Sequence, residues 1–117
     1  MNKSERNAVP VQDAAERIKN SDEVAKGFTP ERALAEAARC LNCKNAPCPK
    51  GCPVGVRIPN FIAALLNGGA DAAAGVLFAD NNLPAVCGRV CPQENQCEKY
   101  CVRREKLGGS VAIGALE

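Results

Sequence analysis

Residues 40–53 read CLNCKNAPCPKGCP, four cysteines and three prolines in fourteen positions. Residues 87–101, CGRVCPQENQCEKYC, carry the other four cysteines of the chain. Pro47, Pro49 and Pro53, with Gly51 and Gly55, rule out regular helix or central strand across the first window, so it must be a loop. The spacing is Cys40-x2-Cys43-x4-Cys48-x3-Cys52, then Cys87-x3-Cys91-x5-Cys97-x3-Cys101, and a proline directly follows both Cys52 and Cys91. Loops this rich in sulfur need a reason, and the rest of the chain limits what it can be.

The chain has 117 residues, a length expected of one domain. Hydrophobic residues make up 46%, yet aromatics are only 3% and there is no Trp, so the core is small and aliphatic. A core of that kind is close to the range where metals or crosslinks add needed stability. The net charge of +2 gives no basis for a nucleic-acid or anionic-membrane partner. No apolar run is read as reaching the ~18 residues of a membrane span. The N-terminal MNKSERNAVPVQDAAERIKN lacks the apolar stretch of a secretion signal. The expectation is a cytoplasmic protein with no membrane partner. Thiols are kept reduced in that compartment, so a disulfide framework is disfavoured.

Three metal or redox readings then remain. Two four-cysteine zinc sites would normally show paired C-x2-C knuckles, and only Cys40/Cys43 has that spacing. A thioredoxin-like C-x-x-C would need alternating strand and helix signals and would leave six cysteines unused. Iron–sulfur ligation fits best, because thiolates suit iron and cubane clusters are wrapped by loops. Closely spaced cysteines ending in Cys-Pro are related to the bacterial ferredoxin run, in which the last cysteine reaches a second cluster. The middle gap is longer here, and eight cysteines naively divide into two sets of four. A zinc-stabilised interaction domain without redox function is the alternative.

Between the windows the pattern is helical. Residues 1–28 read as an N-terminal arm, loose over residues 1–11 and with short helical turns within QDAAERIKNSDEVAKG. Residues 29–117 read as the metal-binding domain. Thr29 is an N-cap with Pro30 at the first helical position and Glu31 in the first turn. Ala33, Leu34, Ala37, Ala38 and Leu41 then mark one helix face running into Cys40. Pro59 opens a helix through Phe61, Ile62, Leu65 and Leu66 that stops at the NGG of 67–69, and 71–80 forms another. KLGGS is a turn, and VAIGALE begins an apolar element that reaches the last residue, as in a piece of a longer chain. No strand pattern is present. The expected fold is all-α, a small helical bundle with cysteine-rich loops, and Leu34, Phe61, Ile62, Leu65, Val76 and Leu77 are its expected core.

The segments EAARCLNCKNAPCPKGCPVGVRIPNFI, NNLPAVCGRVCPQENQCEKYC and VAIGALE together resemble a known domain. It is the N-terminal iron–sulfur domain of the small subunit of NADPH-dependent glutamate synthase, shared with dihydropyrimidine dehydrogenase and NADH-dependent ferredoxin:NADP oxidoreductases. The resemblance spans residues 13–117. It implies an α-helical ferredoxin-type fold with two [4Fe–4S] clusters, relaying electrons between an NAD(P)H/FAD region and a larger partner subunit. FAD and NADPH are expected in a following C-terminal region, because no G-x-G-x-x-G strand–helix unit occurs here. This part alone is expected to catalyse nothing, so it has no catalytic residues.

The resemblance also implies a ligand partition that differs from the naive one. Cys40, Cys43, Cys48 and Cys101 would hold cluster one. Cys52, Cys91, Cys97 and Glu117 would hold cluster two, Glu117 standing where the family places a Gln or Glu after its IG-small-L run. Cys87 would then be a buried, non-ligating thiol; an all-cysteine set with Cys87 in place of Glu117 is the alternative. Residues 39–106 hold nine Lys/Arg against five Asp/Glu. Arg39, Lys44, Arg57 and Arg89 are therefore expected to offset cluster charge, and the amides of NAPCPKG and CGRVCPQ to donate to cluster sulfur.

Overall fold

The computed structural model describes residues 4–117; the first three residues of the expected arm lie outside that range. Among the described residues the chain is helical, with no strand and a single isolated β-bridge between Val11 and Ala25. The helices are α1 (Ala14–Arg17), α2 (Pro30–Ala37), α3 (Ile58–Asp80), α4 (Pro84–Val90) and α5 (Ile113–Leu116). Short 3₁₀ turns at Cys48–Gly51, Gln93–Asn95 and Glu98–Tyr100 shape the two cysteine windows. This is the all-α fold expected from the sequence.

Local chemistry explains most of the helix ends. Asp13 caps α1 by accepting from the Ala15 amide at 2.8 Å. Thr29 caps α2 by accepting from the Arg32 amide at 3.4 Å, with Pro30 at the first position. α4 was not legible from the sequence, where its span was read only as the start of the second cysteine window. Pro84 opens it as prolines open α2 and α3, and it carries Cys87.

α3 is two helical arms rather than one rod. Gly69 adopts φ 77° and ψ −168°, a conformation that glycine reaches without steric penalty, and it breaks the helix where NGG was expected to stop it. The second arm folds back, because Asp80 at its end accepts from the Arg57 amide at 2.9 Å and from Arg57 Nε at 3.0 Å. By length and apolar composition α3 could cross a membrane, contrary to the expectation that no such run exists. Folded at Gly69, each arm is only about 15 Å long, half a hydrocarbon core.

Phe61, Ile62 and Leu77 from the hairpin meet Ala37, Val56, Ile58, Val111 and Ile113 to form the core. Leu65 and Val76 pack at its edge. Leu34 does not join them. It is 44% exposed, because the buried face of α2 runs through Glu36 and Ala37 instead of the expected leucine stripe.

That shift has a cause. Glu36 and Arg39 are both essentially solvent-free and pair at 2.5 Å. Arg39 also donates to the carbonyls of Ser4 (3.1 Å), Ser110 (3.0 Å), Gly108 (2.7 Å) and Gly109 (2.7 Å). Glu36 accepts from the amide and side chain of Asn7 (2.8 and 2.9 Å) and from the Ala112 amide (2.8 Å). Burial alone would raise the Glu36 carboxyl; the bonds from Asn7, Ala112 and Arg39 outweigh it and hold it below its ordinary value. The segment read as loose is thus clamped from Ser4 onward. The KLGGS turn is clamped too, with Gly108 and Gly109 both at positive φ. Arg39→Met would leave Glu36 buried and unpaired, so denaturant unfolding should show a loss of about 3–5 kcal/mol. A loss under about 1 kcal/mol would mean that the clamp is not structural.

Candidate metal centres

The first window is folded so that its sulfurs face inward. Asn42, between Cys40 and Cys43, sits in the left-handed region at φ 46°, which asparagine tolerates better than most residues. This turn brings the Asn42 amide to the Cys40 sulfur as a donor. The 3₁₀ turn from Cys48 to Gly51 follows, and it lies against the 3₁₀ turn Glu98–Tyr100 of the second window. Gly51 permits that contact: a Cβ there would fall on the Tyr100 ring and 2.7 Å from the Gln96 carbonyl oxygen.

The result brings residues of the two windows together. Cys40, Cys43, Cys48 and Cys101 line one cavity, closed by Leu41, Pro47 and Val111. Burial pushes the Cys48 thiol up to about 12, reinforced by the nearby charges of Cys101, Cys40 and Cys43. Cys40 is likewise raised, by burial first and then by Cys101 and Cys43.

Of the other four expected ligands, Cys52 and Glu117 act on both Cys91 and Cys97. Burial pushes Cys97 up to about 12, with Glu98, Cys52 and Glu117 adding to the effect. Cys91 is raised by burial, then by Cys87, Glu117 and Cys52. Glu117 is raised by burial, although Asn81 donates to its Oε1 at 3.0 Å. α5 brings Glu117 here by lying close on α4: a Cβ at Gly88 would sit 2.8 Å from the Gly114 carbonyl. Glu117 also lines an open cleft of about 470 Å³ shared with Glu23, Lys26 and Arg89. Cys87 is half-buried, not buried as expected, because α4 presents that face near the surface; its sulfur contacts Cys91 through a hydrogen bond.

Three of the four cations expected to offset cluster charge are committed elsewhere. Arg39 serves the clamp, Arg57 binds Asp80, and Arg89 binds Glu23 and the Ala85 carbonyl. Lys44 is exposed and lines a shallow opening beside Cys43. The amide expectation also changes. Lys50, Cys52, Cys91 and Gln93 spend their amides on backbone carbonyls, whereas Asn42, Cys48 and Glu98 direct theirs to cysteine sulfur.

The cation missed by the sequence reading is Arg103. It is 1% exposed and lines the cavity of Cys40, Cys43, Cys48 and Cys101. Its Nη2 donates to the carbonyls of Leu107 (2.5 Å) and Ser4 (3.2 Å), while Nε and Nη1 are buried with no partner among the described residues. Nothing in the string VRREK separates Arg103 from the exposed Arg104, apart from its place two residues after Cys101.

These observations allow a test of fit. Among the described residues no three His, Cys, Asp or Glu side chains converge tightly enough for one metal ion. Four thiols, Cys40, Cys43, Cys48 and Cys101, instead line a common cavity, and the buried Arg103 that lines it with them has Nε and Nη1 unsatisfied among the described residues. A polynuclear, anionic, sulfur-ligated centre suits that arrangement better than a single zinc ion.

Comparison with known proteins gives the same chemistry. Residues 17–117 match the family described as dihydropyrimidine dehydrogenase domain II, 4Fe-4S cluster. The chain belongs to this family. It is an iron–sulfur domain of an oxidoreductase family, with the electron-transfer role that such a cluster carries. It is 39% identical over 104 residues to the glutamate synthase [NADPH] small chain of Azospirillum brasilense, covering 89% of this chain and 22% of that one. The same small chain from Escherichia coli K12 is 41% identical over 95 residues, 81% of this chain and 20% of that one. The NAD-dependent dihydropyrimidine dehydrogenase subunit PreT of Salmonella typhimurium is 43% identical over 82 residues, 70% of this chain and 20% of the relative. The chain therefore spans about a fifth of the length of these relatives.

The Gly51 contact yields a test of how the windows are joined. Gly51→Ala should lower stability by about 1–3 kcal/mol, because backbone as well as the Tyr100 ring must move. Thermal unfolding of the anaerobic protein checks it. An unchanged midpoint would mean that the two windows do not press together at this point.

Proposed function

We propose that this domain carries two [4Fe–4S] clusters and relays electrons between a flavin- and NAD(P)H-binding region and a larger partner subunit, in an oxidoreductase resembling glutamate synthase. The observation that carries the reading is the grouping of the eight expected ligands. Cys40, Cys43, Cys48 and Cys101 share one cavity, while Cys52 and Glu117 both lie close enough to Cys91 and to Cys97 to add to the raised proton affinity of those two thiols. Such clusters, when bound, supply one-electron steps over a potential range set by charge, hydrogen bonding and solvent access.

The chain's own residues supply the rest. Cysteine thiolates hold the iron, and the amides of Asn42, Cys48 and Glu98 donate to ligand sulfur. The Glu117 carboxylate completes the second site as a hard oxygen donor, oriented by Asn81. Phe78, Leu83, Val86 and Val90 leave an exposed apolar surface at the end of α3 and on α4, which supports a docked neighbour. That neighbour is the flavin region expected in the remainder of a protein whose relatives are about five times longer. A reducing, cytoplasmic setting would keep all eight thiols available as ligands.

Iron and sulfide quantification on the anaerobically purified holoprotein should give about eight of each per chain. Stoichiometric zinc without iron would overturn the reading. Glu117→Ala should change the spectrum of one cluster and lower its iron retention, while Cys87→Ala should leave both clusters intact. The reverse outcome would give the eighth ligand position to Cys87.

A further inference from the structure

We infer that Arg103 donates a hydrogen bond from Nε or Nη1 to the sulfur of the cluster held by Cys40, Cys43, Cys48 and Cys101, and that it is the cation that sets the potential of that cluster. The inference rests on the two-cluster reading above.

The geometry carries it. A guanidinium has five N–H donors in a rigid fork, and in the described structure only Nη2 of Arg103 has acceptors, the carbonyls of Leu107 and Ser4. Those two bonds occupy Nη2. Among the described residues Nε and Nη1, whose N–H bonds point to different sides of the guanidinium, are buried without an acceptor, in a residue that lines the same cavity as the four cysteines. Among the described residues no carboxylate bonds to Arg103. A buried, half-satisfied guanidinium costs stability unless something anionic accepts from it. Four thiolates around a cluster provide that acceptor.

The four cations expected from the sequence to offset cluster charge are placed otherwise. Arg39, Arg57 and Arg89 are bound to carboxylates, and Lys44 lies outside in solvent. The second site contains Glu117, whereas its neighbour Glu98 is paired with Arg6 at 2.6 Å. A donor and cation beside one cluster, with a carboxylate ligand at the other, would separate two potentials within one small domain. Hydrogen bonds and positive charge stabilise the reduced, more anionic state, which raises the potential. Arg103 would therefore make its cluster the easier one to reduce, relative to the same cluster without it.

Redox titration of the anaerobic holoprotein, followed by electron paramagnetic resonance, tests this. Iron is counted first, so that loss of a cluster is told apart from a change in potential. Arg103→Met should shift one of the two reduction waves to lower potential by at least about tenfold in the one-electron equilibrium constant, about 59 mV, and leave the other in place. Arg103→Lys keeps the charge and should shift that wave less. Loaded variants whose waves both stay in place would overturn the inference and leave the two-cluster reading standing. Absence of a cluster at this cavity in the unmodified protein would overturn both.

A measurement without any variant covers the case in which Arg103→Met does not fold. The unmodified protein labelled with ¹⁵N-arginine should show a weak nitrogen coupling to the reduced cluster in pulsed electron paramagnetic resonance. Its absence would also overturn the inference.

Discussion

The buried pair of Glu36 and Arg39 is the contact on which the rest of this small domain depends. The core around it is aliphatic and has one large aromatic side chain, Phe61, so apolar burial alone supplies limited cohesion. The pair adds a polar hub with its acceptors and donors met. Arg39 gathers four backbone carbonyls, and Glu36 gathers Asn7 and the Ala112 amide. Three distant stretches, the N-terminal segment, the end of α2 and the Gly108–Ala112 turn, are thereby fixed relative to one another. Cys40 follows Arg39 immediately, and α5, ending at Glu117, follows Ala112. One clamp therefore helps to position ligands of both proposed clusters.

The same economy extends to the thiols. Cys40, Cys48, Cys52 and Cys101 pack against the apolar core, so the sulfur lining is part of the folded interior rather than an appendage. Burial and mutual repulsion raise the proton affinity of Cys48 and Cys97 to about 12. Without a metal such thiols stay protonated at neutral pH, and metal binding must displace their protons. Folding, proton release and cluster insertion are coupled in a domain of this kind.

Much of this was readable in the sequence. Proline and glycine placed the first window in a loop, Thr29 and Pro30 started α2, and the NGG stretch marked the reversal at Gly69. These features are local, and local chemistry decides them. The features that escaped depend on distant partners. Leu34 satisfied the helical period, yet the ion pair on the neighbouring face turned it outward. Arg39, Arg57 and Arg89 looked available for cluster charge, but their carboxylate partners Glu36, Asp80 and Glu23 could not be assigned from spacing. Arg103 was hidden because burial, not residue type, separates it from Arg104.

The interleaving of the two windows is the central claim about this molecule. Each window has four cysteines, but Gly51 and the 3₁₀ turns press one window on the other, and Cys101 shares a cavity with three sulfurs of the first. The most direct measurement is the iron content of two double variants, prepared anaerobically. Cys40→Ser with Cys101→Ser alters one ligand in each window but only one interleaved site, so about four irons should remain. Cys40→Ser with Cys52→Ser alters a single window but both sites, so neither complete cluster should remain. If instead the first pair loses both clusters and the second keeps one, each window holds its own cluster and the interleaved account is wrong.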